Sequence, residues 1–219
     1  MKTKTEHSKG FTIVELLIAM LISSIVIAAI YSTFQSNLSS YITQQRVVGM
    51  QQNNRAVFFY IAWDIMMAGY DPGGVKAGAG ITDARSGSIT FSADLNENDA
   101  IDAGETITYT VAGTDLTRNG TVLSKNVNIL NFVYLDKDGT VLTDSDGDGV
   151  VDDMSDIVSI QISGIVQDGD KISQLAQNYT NNKTYYNQNG TVILDKSAAP
   201  DLFRRRLYSA QINCRNLGL

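Results

Sequence analysis

Apolar residues follow three successive patterns along the chain. From Phe11 to Phe34 they are nearly continuous: in 24 residues Glu15 is the only charge, and Ser23, Ser24 and Ser32 can return their hydroxyls to helix carbonyls. As a helix rising about 1.5 Å per residue the run is roughly 36 Å long, enough to cross a bilayer core. From residue 35 to 68 the pattern becomes periodic. Val47, Met50, Val57, Ile61 and Ile65 recur at helical spacing, with Phe58 and Ala62 beside them, while Arg46, Gln51, Gln52 and Arg55 point elsewhere. This segment has no proline and one glycine, Gly49, so one continuous helix over residues 11–68, about 87 Å long, is expected. The stretch AGYDPGG, Ala68 to Gly74, supplies strong stop chemistry.

Beyond Gly74 the period shortens to two. β-prone runs lie at 87–93, 105–111, 121–124, 128–136, 156–166, 190–195 and 205–215. Ile107, Tyr109 and Val111 share one face, as do Ile160 and Ile162, and Ile129 and Phe132 fit the alternation less neatly. One-sided strands of this kind predict an antiparallel sheet whose inner face takes the apolar side of the helix. The predicted fold class is α+β: a long N-terminal helix on an antiparallel β-sheet head. Its expected divisions are 1–10, a leader; 11–34, the apolar helix; 35–69, its amphipathic continuation; and 70–219, a β-rich head.

Charge adds an address. The first ten residues hold Lys2, Lys4 and Lys9 against Glu6, so the remainder is more acidic than the net charge of −6 for the whole chain. Lysines before the apolar run and none within it predict a cytoplasmic N-terminus and an exported body. An acidic body argues against a nucleic-acid-binding surface, which needs clustered Lys and Arg. The one histidine, His7, lies in the leader, and one cysteine, Cys214, permits no internal disulfide. An ordinary secretory signal would also begin with basic residues. It would not carry a carboxylate near the start of so long an apolar run, and no convincing A-x-A cleavage site follows.

A short basic leader ending in Gly10, then Phe11, Thr12, Ile13, Val14 and Glu15, then LLIAMLISSIVIAAIYSTF, resembles the class III signal of type IV pilins and pseudopilins. The resemblance implies that a prepilin peptidase cleaves between Gly10 and Phe11 and that the new amine of Phe11 is methylated. It also implies that the apolar helix is retained, first as an inner-membrane anchor and then as the core of a filament. Glu15 then acquires a physical role. An unpaired carboxylate in hydrocarbon costs on the order of 2.5–3.5 kcal/mol, and the Phe11 amine of a neighbouring subunit would pair with it. The plainer alternative is a carboxylate resting at the cytoplasmic interface.

QQNNRAVFFYIAWDIMMAGYDP and LFRRRLYSAQINCRNLGL resemble minor pilins of the PilW group; these regions are short. That resemblance implies a type IV pilus minor pilin that joins other minor and major pilins, primes assembly and sits at or near the tip. Arg55 and Asp64 read most simply as a solvated helix face. Arg204, Arg205 and Arg206 read as an edge-strand gatekeeper, and Cys214 as a buried small hydrophobe.

Two loops suggest calcium. DSDGDGVVDDMS places Asp144, Asp146, Asp148, the Val150 carbonyl, Asp152 and Ser155 at positions 1, 3, 5, 7, 9 and 12 of an EF-hand-type loop, with Gly149 at position 6. Ser155 replaces the usual bidentate glutamate, so Asp153 or Asp156 would have to substitute. In DLNENDAIDAGE the corresponding residues are Asp94, Asn96, Asn98, Ala100, Asp102 and Glu105, with Asp99 where glycine is usual. The alternatives are a solvated acidic turn and an Asx-rich hairpin turn.

Catalysis finds little support. A processed chain would lack histidine, and there is no G-x-S-x-G elbow or P-loop. N-x-S/T triplets beginning at Asn178 and Asn182 lie in a polar stretch. Besides the minor pilin, two readings stand: a minor pseudopilin of a type II secretion system, and a calcium-dependent adhesion or DNA-capture module displayed on a pilus.

Overall fold

A computed structural model describes residues 10–74, 76–169 and 179–217. The leader ahead of Gly10, with its lysines and His7, and the sequon residue Asn178 lie outside the described residues. The chain divides into two compact units, Met1–Gln45 and Arg46–Leu219.

Helix α1, Ile13–Met67, runs through both. In the first unit its described side chains from Phe11 to Leu38 are exposed, so the apolar run is not covered by any described residue of that unit. In the second unit the helix buries one stripe, Phe58, Ile61 and Ile65, as the period predicts. Each such side chain contributes about 1.5–3 kcal/mol on burial. The helix ends at Gly69, whose φ of 77° is the left-handed turn that glycine permits, and the Gly69 N–H donates to the Ser92 carbonyl at 2.9 Å.

Among the described residues of the head there are ten strands: β1 Ile81–Ala84, β2 Ser88–Ser92, β3 Thr106–Ala112, β4 Asp115–Arg118, β5 Thr121–Lys125, β6 Val127–Leu135, β7 Ser159–Gln167, β8 Thr184–Tyr186, β9 Val192–Asp195 and β10 Arg205–Asn213. They form a five-stranded antiparallel sheet in the order β1-β2-β3-β4-β5, a three-stranded sheet β10-β7-β6 and the hairpin β8-β9. The seven expected strands are present. β1, β4 and β8 were not expected, and a 3-10 turn, Met154–Asp156, occupies the predicted start of β7. The buried face of β6 is Leu130, Phe132 and Tyr134 rather than Ile129, because the β6–β7 register shifts between Val127 and Ile129.

The helix stripe touches both larger sheets. The Phe58 ring stacks on Tyr208 of β10 with centroids 4.3 Å apart and lies over Gly164 of β7, where a Cβ would overlap it. Further along, Asp64 Oδ2 accepts from the Tyr109 hydroxyl of β3 at 2.6 Å and from Arg118 Nε of β4 at 2.8 Å. Asp64 is therefore buried against the sheet rather than solvated, while Arg55 stays exposed. Burial, followed by the Asp64 bond, pushes the Tyr109 phenol far above its ordinary pKa.

The expected arginine gatekeeper is also corrected in part. Arg205 is buried and holds Asp201 through paired bonds of 2.6 and 2.7 Å, whereas Arg206 is exposed. Cys214 is buried, and desolvation raises its thiol to about 12.

Candidate functional site

The amino-terminal motif is built by a reciprocal cap. The N–H groups opening a helix lack intrahelical partners. Here Glu15 N donates to Thr12 Oγ1 at 3.2 Å, and both Thr12 N and Thr12 Oγ1 donate to Glu15 Oε2, at 2.8 and 2.9 Å. This is the capping-box arrangement of a threonine and a glutamate three residues apart. The T-x-x-E pattern of Thr12 and Glu15 is the sequence signal for this cap. Gly10 and Phe11 precede the helix, and Phe11 is 93% exposed.

The loop after β6 folds around Asp144. Its two carboxylate oxygens accept from Gly147 N at 2.6 Å and Gly149 N at 2.8 Å. Asp146 accepts from Asp148 N, Asp148 from Val150 N, and Asp152 from Ser145 N. Desolvation works to raise the Asp144 pKa, but the bonds from Gly149, Gly147 and their neighbours outweigh it and hold the carboxyl below its ordinary range. One oxygen each of Asp144, Asp146 and Asp152 lies within 4.8 Å of the others; the carboxylate of Asp148 stands outside this trio. Ser155 sits in the 3-10 turn. Arg85 Nη1 bonds the Asp148 carbonyl at 3.1 Å, and Val151 N donates to the Ala84 carbonyl, so the loop is stitched to β1.

The loop between β2 and β3 repeats this wiring. Asp94 accepts from the N–H of Glu97, Asn98 and Asp99; Asn96 accepts from Asn98 N, and Asn98 from Ala100 N. In both loops the residue at position 1 takes the N–H of positions 4 and 6, position 3 takes that of 5, and position 5 takes that of 7. Positions 4 and 6 are left-handed in each: Gly147 and Gly149 in one, Glu97 and Asp99 in the other. Asp99 thus adopts the conformation for which glycine was expected, at a local cost.

The far side of this loop differs. Asp102 Oδ2 is held by the side-chain amides of Asn96 and Asn98, which keep its pKa below the ordinary range. Glu105 accepts from Leu95 N, Asn96 N and Asp102 N. Asp71, just after the helix, joins Asp94 and Asp99 with oxygens inside 4.8 Å, so the carboxylate trio here is not Asp94, Asp102 and Glu105. Asp71 lies outside the twelve-residue spacing, so the loop pattern carried no signal for it.

Residues 7–31 match the prokaryotic N-terminal methylation motif. The structure is similar to a type IV-like pilin from Thermus thermophilus, with a TM-score of 0.52 and 14% identity, over 77% of this chain and 98% of that one. This is a type IV pilin fold. A comparison with curated proteins finds no match. The pilin-like fold and the prepilin-type motif together indicate a structural, non-enzymatic protein. A pilin-like chain implies association with other pilins and processing by a prepilin peptidase. The one helix long and apolar enough to cross a membrane among the described residues is α1. With the prepilin motif, it suggests membrane anchoring and pilus assembly.

Proposed function

We propose that this pilin-like chain is a minor pilin, cut between Gly10 and Phe11, methylated at Phe11, and co-assembled with other pilins to prime a type IV pilus at or near its tip. Before assembly it is anchored in the inner membrane with its amino-terminal end cytoplasmic and its head periplasmic. The observation that carries the reading is the run of exposed apolar side chains from Phe11 to Phe34 behind a prepilin motif. Burying such a run requires lipid or other helices. Glu15 stands at its start, in the place where a neighbour's Phe11 amine would neutralise it. A deletion strain, scored for surface pili and complemented by the full chain, tests this. Loss and recovery of pili support it, and normal piliation without the protein contradicts it.

A second element of the reading is calcium. Its support is the shared wiring of the two loops, in which the backbone of each is already wound around the residue at position 1. Asp144, Asp146 and Asp152 would hold one ion as hard oxygen ligands, with the Val150 carbonyl, Asp148 and Ser155 as remaining donors. The loop around Asp94 is the weaker of the two, because Asn96 and Asn98 reduce its charge and Glu105 is occupied by backbone N–H groups.

A further inference from the structure

Among the described residues the edge of β10 is open, and it differs from the other sheet edges of the head. A strand at an edge presents unpaired N–H and C=O groups, and proteins blunt such edges with bulges, charges, proline or covering loops. The ladders ending in β1, β5 and β6, and the β8–β9 hairpin, each contain a register shift. The β6 edge is also covered, since Phe132 N donates to the Ser86 carbonyl and Leu142 N to that of Tyr134. β10 pairs with β7 through Arg205↔Gln167 to Asn213↔Ser159 in unbroken register. From Leu207 to Asn213, LYSAQIN, it carries no charge, proline or glycine.

The phase of its free groups follows from the two ends of the ladder. The Arg204 carbonyl accepts from Asp168 N, and Cys214 N donates to the Val158 carbonyl. Even-numbered residues of β10 therefore face β7. Alternation turns the backbone groups of Leu207, Ser209, Gln211 and Asn213 to the open side. The side chains of Ser209, Gln211 and Asn213 are exposed, while Ile212 packs beneath. Arg206 and Arg215, both exposed, bracket this uncharged edge.

We infer that the β10 edge is a strand-addition site for an extended segment of a different polypeptide, uncharged along its middle and carrying carboxylates at its ends to meet Arg206 and Arg215. Main-chain bonds supply the affinity of such docking, and the flanking charges its selectivity. A second copy of this chain is a poorer occupant. The two-fold antiparallel register that overlaps the whole uncharged stretch, centred on Ala210, brings the exposed Arg206 of one copy near the exposed Arg215 of the other at both ends. The strand-addition site does not depend on the subunit's place in a filament.

The test uses the full chain in detergent micelles and a synthetic peptide of alternating threonine and valine with two aspartates at each end, compared with the same peptide ended in lysines. The expected result is binding at least about tenfold tighter for the aspartate-ended peptide. In hydrogen exchange it should slow the amides of Ser209, Gln211 and Asn213 while leaving those of Tyr208 and Ala210 unchanged. Gln211→Pro removes an outward N–H without removing a bond to β7, and should abolish binding in protein whose melting transition is retained. If that variant does not fold, the exchange pattern decides. Equal affinity for the two peptides, no binding, or protection spread over both phases overturns the proposal. So does a concentration-dependent dimer of the chain alone that Gln211→Pro dissolves, since the second copy would then be the occupant.

Discussion

The tip of the Phe58 ring, at Cζ, reaches Gly164 of β7, where an added Cβ would overlap it. Gly164 is buried, and its lack of a Cβ lets the aromatic ring reach the sheet and stack on Tyr208. The contact makes the helix-to-sheet distance a property of one glycine.

Gly164→Ala should therefore destabilise the head by about 1–3 kcal/mol through overpacking, with no change in net charge or strand composition. Chemical denaturation of the wild-type and variant chains measures it. A variant as stable as wild type would mean that Phe58 has another place to go.

Calcium should raise the melting temperature of the chain, since a ligand that binds only the folded state stabilises by about 2.7 kcal/mol at one hundred times its Kd. Asp146→Ala, which removes a carboxylate from the Asp144 trio, should weaken this shift. Magnesium at equal concentration should do less, because the loop's donors suit a larger, flexible shell. Calorimetric titration with no heat and no thermal shift would remove both loops from consideration as ion sites.

The Arg205 bonds hold the Asp201 carboxyl at about 2, below its ordinary value of about 3.8. A folded pKa depressed in this way contributes stability that is present above the unfolded value and is lost as pH falls from about 4 towards 2. Arg205→Gln should flatten this part of the acid-unfolding profile. A profile unchanged between pH 4 and 2 would assign the acid sensitivity to other carboxylates.

Legibility in the sequence tracked the strength of local patterning. The helix and seven strands announced themselves by period, and the stop at Gly69 by glycine and proline chemistry. β1, β4 and β8, reading ITDA, DLTR and TYY, are three or four residues long and hold at most one branched aliphatic residue each, too little for a strand pattern to register. Their existence depends on the partners beside them. Asp64 read as solvated because a helical face alone does not reveal that Tyr109 and Arg118 converge on it from two strands. The same holds for Arg205 and Asp71: Asp201 sits on a loop four residues before Arg205, and Asp71 meets Asp94 only after the chain has turned through β1 and β2. The acidic loops were legible at their leading halves, where position-to-position hydrogen bonds are local. Their closing halves, at Ser155 and Glu105, are shaped by the 3-10 turn and by the entry into β3, which no position-by-position loop pattern encodes.

In the proposed function Glu15 carries an assembly charge as well as a cap. Both roles use the same side chain, and Glu15→Gln separates them: glutamine can still serve the capping box with Thr12 but cannot neutralise a neighbour's amine. The decisive measurement is the amount of Glu15→Gln chain in sheared pili relative to wild type and Glu15→Ala, normalised to the amount in the inner membrane. The expected result is normal membrane levels for all three, with incorporation of the glutamine variant reduced at least about tenfold, as far as that of the alanine variant. Wild-type incorporation of Glu15→Gln would contradict it, leaving Glu15 as a helix cap alone.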